Sequence, residues 1–242
     1  MFDGKVAVVT GAAKRTGRAI AEVLAENGAE VVVHYRSSRD EAEEFVASLR
    51  AVKRPCYSVG ADIGTPEGAE SFVAEVMQRS GRIDILINNV GEFLVKRLDS
   101  VTPDEWSSIL NSNLTATFLM CRTALAHMVD QNYGRIVNLG ESGADAVASR
   151  PNITPYMIGK TGVLILTKSL AEIYGSYDIT VNAVSPGILE NSVTKPRGGS
   201  RSIPKQRYAS YGDIINAILF LLSDRSGYIT GADIKVSGGW NS

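Results

Sequence analysis

The first stretch able to do chemistry is residues 10–17 (TGAAKRTG), a glycine-bearing turn between an apolar run and a helical pattern. At a strand-to-helix junction such a turn aims backbone N–H groups and the positive end of the helix dipole at a pyrophosphate. Gly11 and Gly17 are its only glycines, and Arg15 stands where many such loops carry a middle glycine. The second stretch, residues 34–38 (HYRSS), ends the second apolar run. An acidic side chain there would bind a ribose 2′-hydroxyl and repel a 2′-phosphate, but none occurs before Asp40. Arg36 and the serine hydroxyls, with Lys14 or Arg15 from the turn, form a set suited to a phosphate dianion. The expected ligand is therefore NADP(H) rather than NAD(H). Gly11, Lys14, Arg15, Thr16 and Gly17 would contact it from the turn, and His34, Tyr35, Arg36 and Ser37 from the strand end.

The elements that must hold these residues alternate in kind. Short runs rich in β-branched residues lie at 5–10, 30–35, 56–59, 83–88, 135–139, 180–184 and 233–236. Several are apolar on both faces, as strands of a parallel sheet covered on both sides should be. Between them, residues 17–27, 40–49, 67–79, 103–131 and 154–174 carry apolar positions at helical spacing. Strands alternating with helices of ten or more residues imply βαβ units. The expected fold is α/β: one Rossmann-type domain over residues 1–242, a doubly wound parallel sheet of about seven strands with helices on both faces. Residues 191–207 (NSVTKPRGGSRSIPKQR) break the rhythm with two prolines, two glycines and five basic residues. They follow the sixth strand, where open α/β sheets bind ligands, so they are expected to form a substrate lid.

Composition narrows the class. The chain has 242 residues, 44% hydrophobic and 21% charged, with 25 basic and 26 acidic side chains and a formal net charge of −1. That is a globular composition without the basic excess of a nucleic-acid or anionic-membrane binder. No apolar run approaches the roughly 20 residues that a bilayer demands. The N-terminus enters an apolar strand within four or five residues, leaving no room for a signal peptide. Cys56 and Cys121 are too few and too far apart for a disulfide scaffold, and His34 and His127 have no metal-ligand spacing. A cytoplasmic protein without a metal site is expected.

Further motifs, in order, give the chain a resemblance to the classical short-chain dehydrogenase/reductases along its whole length. The turn at 10–17 resembles that family's nucleotide loop. Asp62 and Ile63 resemble its adenine contact, and residues 88–91 (NNVG) its NNAG motif, with Asn89, Val90 and Gly91 beside the cofactor. Asn113 matches the catalytic asparagine, Tyr156 and Lys160 the YxxxK pair, and Pro186, Gly187 and Ile188 the segment after the sixth strand. The resemblance implies hydride transfer between a nicotinamide and a carbonyl or alcohol carbon. Tyr156 would protonate the nascent alkoxide as general acid. Lys160, one helical turn on, would lower the phenol pKa and hold the nicotinamide ribose. Asn113 would organise a water that relays protons to Lys160. The resemblance also implies a homotetramer, with a dimer as the alternative, built through helices 103–131 and 154–174 and the C-terminal strand.

The chain departs from the pattern where the family has a serine after the fifth strand. Glu141 holds that position and Ser142 follows, fifteen and fourteen residues before Tyr156. Three readings stay open: Ser142 takes the role, Glu141 acts as an acid with a raised pKa, or neither contributes. Pteridine reductases, a branch of the family, resemble this chain in the turn with Arg15, in the HYRS strand end and in a carboxylate at the serine position. The segment EVVVHYRSSRDEAEEF also resembles 3-oxoacyl-thioester reductases. The expected activity is NADPH-dependent reduction of a 3-oxoacyl thioester or related ketone. A pteridine or dihydropteridine reductase is the nearest alternative, and a nucleotide-binding regulator without turnover is the alternative from another class.

Overall fold

The computed structural model describes residues 1–240. Seven strands form one parallel sheet in the order β3-β2-β1-β4-β5-β6-β7. They are β1 Val6–Val9, β2 Glu30–Tyr35, β3 Cys56–Gly60, β4 Ile85–Asn88, β5 Gly134–Leu139, β6 Ile179–Pro186 and β7 Asp233–Val236. The order reverses between β1 and β4, so the crevice at their carboxyl ends is the topological switch point where such sheets take ligands. β1, β4 and β5 are buried along their whole length; β1 reads as a continuous apolar run for that reason, while Asn88 of β4 and Arg135 and Asn138 of β5 are buried polar residues.

The helices are α1 Arg15–Glu26, α2 Arg39–Ala51, α3 Pro66–Ser80, α4 Pro103–Leu110, α5 Ala116–Asp130, α6 Thr154–Ile173 and α7 Tyr211–Leu222. Alternate strand residues separate two cores. Ala7, Val9, Val31, Val33, Ile85 and Ile87 pack under α1, α2 and α7. Val6, Val8, Val32 and Leu86 pack under α3 and α5.

Two elements differ from the sequence expectation. The helix expected over 103–131 is divided. One π-helical turn, Asn111–Thr115, separates α4 from α5. Such a turn widens the helix and re-aims side chains, often at functional sites. Helix α7 was not among the expected helices. Its signal was a capping box: the Ser210 hydroxyl accepts from the Asp213 N–H while the Asp213 carboxylate accepts from the Ser210 N–H. No helix among the described residues is long and apolar enough to cross a membrane.

Candidate active site

The nucleotide turn is fixed by its neighbours. The Thr10 hydroxyl accepts from the N–H groups of Asn89 and Val90 at 2.9 and 3.1 Å, and the Asn89 amide donates to the Thr10 carbonyl at 2.9 Å. A Cβ on Gly17 would run into the Gly11 carbonyl and lie 2.6 Å from Asn89 Nδ2. Glycine is therefore required for the packing of helix against strand end. Gly11 has φ of 63°, where glycine is free of strain. Arg15 does not sit there as an ordinary helical residue. It takes the left-handed φ of 54° itself, the conformation a middle glycine would adopt more cheaply. Val90 crowds this floor, since its Cγ2 would be 3.1 Å from a Cβ on Gly11.

His34 is buried behind the turn. Its Nδ1 accepts from the Gly11 N–H at 3.0 Å, and its Nε2 pairs with the Ala61 carbonyl at 3.0 Å. That pattern fixes the neutral tautomer with the proton on Nε2. Burial pulls the imidazole pKa down to about 4, the Ala61 bond partly opposing the fall. Both ring nitrogens are thus spent on holding the turn.

A cleft of 440 Å³ opens from this floor. It is lined from the turn by Gly11, Lys14, Arg15, Thr16 and Gly17, and from β2 by His34, Tyr35, Arg36 and Ser37. Asp62, Ile63, Asn89, Val90 and Gly91 complete the expected set on its walls. Glu92, Ser108, Asn111 and Ser112 line it too, although the sequence reasoning did not select them. Glu92 had a signal in its position directly after NNVG, whereas Ser108, Asn111 and Ser112 reach the cleft from α4 and the π turn and had none. Pro186, Gly187, Ile188, Tyr156, Lys160 and Asn113 lie outside this cleft, toward β5 and β6.

At that second end the π turn directs Asn113. Its Nδ2 donates to the carbonyls of Glu92 and Ile109 at 2.8 and 3.0 Å, while its buried Oδ1 has no hydrogen-bond partner. Lys160 is buried on α6, and its ammonium donates to the Leu139 carbonyl at 2.7 Å. A Cβ on Gly91 would overlap Asn113 Oδ1 and lie 3.4 Å from Lys160 Nζ, so both groups converge on that glycine. Burial draws the Lys160 pKa down to about 8, with the Glu141 carboxylate opposing the fall. Lys160 Nζ lies 5.8 Å from the Tyr156 ring centroid, and Phe93 meets that ring edge-on at 4.8 Å.

The phenol differs from the expectation. Its pKa is raised, first by burial and then by the charge of Glu141. The ammonium of Lys160 is turned to Leu139, so its field does not lower the phenol in this state. Ser142 and Glu141 are separated. Ser142 is fully buried with an unpartnered hydroxyl, and its N–H donates to the Pro186 carbonyl at 3.0 Å. Glu141 is half-buried, accepts from the Gly143 N–H at 2.7 Å, and has its pKa raised chiefly by desolvation. Asn191, at the start of the expected lid, gives its amide to the Tyr211 hydroxyl.

Comparison with known proteins decides the family. Residues 11–241 match the family profile described as Enoyl-(Acyl carrier protein) reductase. The chain is 34% identical over 241 residues to the 3-oxoacyl-[acyl-carrier-protein] reductase FabG of Staphylococcus aureus, covering 97% of each. The chain belongs to the short-chain dehydrogenase/reductase family. The reductase of the same name from Vibrio cholerae is also 34% identical to this family member, with 98% of each chain covered. A blue fluorescent protein from a metagenomic library, solved in complex with NADPH, superimposes with a TM-score of 0.92 at 33% identity, covering 100% of this chain and 99% of that one. The protein is an oxidoreductase of this family, similar to the 3-oxoacyl-acyl-carrier-protein reductases.

Proposed function

We propose that the chain is an NADPH-dependent carbonyl reductase that acts on a 3-oxoacyl thioester or related ketone. The observation that carries this reading is the convergence of Tyr156, Lys160 and Asn113 at the carboxyl ends of β4 and β5, beside the cleft. The cleft fits a dinucleotide. The glycines at 11 and 17 leave the turn bare, and Arg36 and Lys14 stand where a 2′-phosphate would lie. The NADPH bound by the structural relative supports the same assignment. NADPH supplies the hydride when bound. Tyr156 hands its proton to the oxygen that becomes the alcohol. The phenol is protonated at neutral pH and so carries the proton to be given, and a Lys160 ammonium turned from Leu139 toward it would lower its pKa and make it the better acid. Lys160 uses one of its three donors on Leu139 and has two more for a ribose. The free Asn113 Oδ1 holds a water beside Lys160. Residues 191–207 act as the substrate lid. They are anchored by Ile203, which is buried, and by Arg207, which holds Asp213 at 2.6 and 2.7 Å.

A second reading has one observation in its favour. Glu141 is a half-buried carboxyl with a raised pKa, and its charge reaches both Tyr156 and Lys160. A protonated carboxyl there donates to a heterocycle nitrogen, as a pteridine reductase requires. The shut-off Ser142 hydroxyl removes the competing group. NADPH oxidation measured side by side with an acetoacetyl thioester and a dihydropterin, with Tyr156→Phe as the blank, separates the two. Turnover of the thioester alone supports the carbonyl reductase, and turnover of the pterin alone moves the proton to Glu141. NADPH binding without turnover across a broad ketone panel would favour a regulator.

Assembly and setting complete the reading. Exposed Phe118 and Ile165 on α5 and α6, and Phe220 and Tyr228 near the C-terminal strand, offer two apolar faces for a homotetramer, or one for a dimer. Light scattering behind a sizing column measures the state. Two buried free thiols suit a reducing cytoplasm.

A further inference from the structure

Glu92 is the residue in the cleft that neither the phosphate set nor the proton-transfer set absorbs. It follows Gly91 at the end of β4, and its backbone is tied from both sides. Its N–H donates to the Ser112 hydroxyl at 3.2 Å, and its carbonyl accepts from Asn113 Nδ2 at 2.8 Å. Its carboxylate is equally placed. One oxygen accepts from Arg36 Nη2 at 3.0 Å and the other from the Ser108 hydroxyl at 2.9 Å. Arg36 rises from the end of β2, whereas Glu92 and Ser108 stand on the opposite wall. The ion pair therefore spans the cleft. Lys14 of the turn is held in the same way by Glu41 of α2. Two of the three cations expected to take the 2′-phosphate, Arg36 and Lys14, are thus engaged by carboxylates of this chain.

We propose that Glu92 is a specificity-determining residue, an internal rival of the 2′-phosphate for Arg36 that limits how strongly the enzyme prefers NADPH over NADH. The inference rests on the NADP(H) reading above. An arginine already neutralised by a fixed carboxylate gains less from a phosphate than a free one. The phosphate must displace the carboxylate or lie beside it, and either costs affinity. NADH carries no 2′-phosphate to pair with Arg36, so the competition for the guanidinium falls on NADPH, whereas any opening of the pair to admit a dinucleotide costs both cofactors alike. Ser108 strengthens the effect, because its hydroxyl keeps the carboxylate in place across the gap. The carboxylate and guanidinium are both partly exposed (42% and 56%), so the effect is modest.

The test is cofactor binding followed by protein fluorescence, with NADPH and NADH titrated separately into wild type and Glu92→Gln. The glutamine keeps the bond from Ser108 and removes the charge. NADPH is expected to bind about three- to fivefold tighter, and NADH to stay within about twofold, in line with an exposed ion pair. Ser108→Ala should shift NADPH in the same direction by less. Glu75→Gln, which removes the same charge from Arg79 away from the cleft, should shift neither cofactor. In an Arg36→Ala background the Glu92→Gln effect on NADPH should vanish. Equal tightening of both cofactors, no tightening of NADPH, or an effect that survives Arg36→Ala overturns the proposal. A wild type that binds both cofactors equally, with Arg36→Ala changing neither, overturns the cofactor reading and this inference with it. A wild type that prefers NADPH while Glu92→Gln leaves the ratio unchanged overturns this inference alone.

Discussion

Gly91→Ala is the sharpest probe of the catalytic end. The new methyl would overlap Asn113 Oδ1, come within 3.1 Å of Asn113 Cγ and within 3.4 Å of Lys160 Nζ. Backbone strain is not the issue, because Gly91 is not among the residues with positive φ. The methyl can be accepted only if Asn113 swings away. That breaks two bonds, from Nδ2 to the carbonyls of Glu92 and Ile109, and leaves those carbonyls short of a donor. At about 1 kcal/mol for each lost bond, plus about 1–2 kcal/mol of overpacking, the cost is on the order of 3 kcal/mol. Displacing catalytic groups by about 1 Å should cost roughly a hundredfold in kcat. Urea unfolding and steady-state NADPH oxidation measure the two effects. Gly212→Ala, on α7 with its nearest foreign atom at 3.6 Å, serves as control and should be neutral or slightly stabilising. Asn113→Ala in the Gly91→Ala background should relieve the overpacking of about 1–2 kcal/mol but not the two lost bonds, and should not restore turnover, a coupling of about 1–3 kcal/mol. A Gly91→Ala enzyme within about 0.5 kcal/mol of wild type and within about threefold in kcat would refute the claim that Asn113 and Lys160 are set against that glycine.

Further outcomes are expected. Tyr156→Phe should retain cofactor binding and lose roughly 10²–10⁴-fold in turnover, which fluorescence titration and NADPH oxidation separate. His34 has a folded-state pKa of about 4 against an ordinary 6.5. Above pH 6.5 both folded and unfolded imidazoles are neutral and the full stabilisation is present. As the pH falls through 6.5 to 4 only the unfolded state takes a proton, so stability falls by about 3 kcal/mol. His34→Gln should lose this acid sensitivity in urea midpoints measured across that range. Arg135 is buried under Tyr133 and pairs with Asp178 and Asp224 at 2.8 and 3.3 Å. Its guanidinium also donates to the carbonyls of Gly134 and Asp178. Arg135→Met should therefore cost about 2–4 kcal/mol in chemical denaturation, since it strands those acceptors.

The sheet was legible because each strand carries its own signal. The runs expected at β2 and β7 matched the observed strands residue for residue, and the other strands shifted by one or two residues at their ends. The glycine turn was legible from its place between strand and helix, whereas Tyr156 and Lys160 were singled out by the resemblance to the family, spacing doing no more than put them on one helix face. Side-chain partnerships that form across elements were not. Nothing in the order of residues says that Arg36 meets Glu92, that Lys160 turns to Leu139, or that Ser142 faces inward while Glu141 does not. The π turn at Asn111–Thr115 was equally hidden, because residues 103–131 keep a helical apolar pattern through it. Helix α7 was missed for a different reason. Its apolar stretch is too even to show a face, and only the capping box at Ser210 and Asp213 marks its start.

The interlock of residues 10–11 with Asn89 has a kinetic consequence. Thr10, Gly11, His34 and Asn89 already hold one another through side-chain and backbone bonds, so the floor beneath the dinucleotide is formed before any ligand arrives. Association then pays little ordering entropy at the turn. What must rearrange are the tips of Arg36, Lys14, Glu41 and Glu92, which reorient on the nanosecond scale of exposed side chains. Arrival of the coenzyme at this end is thus gated by side chains rather than by loop folding.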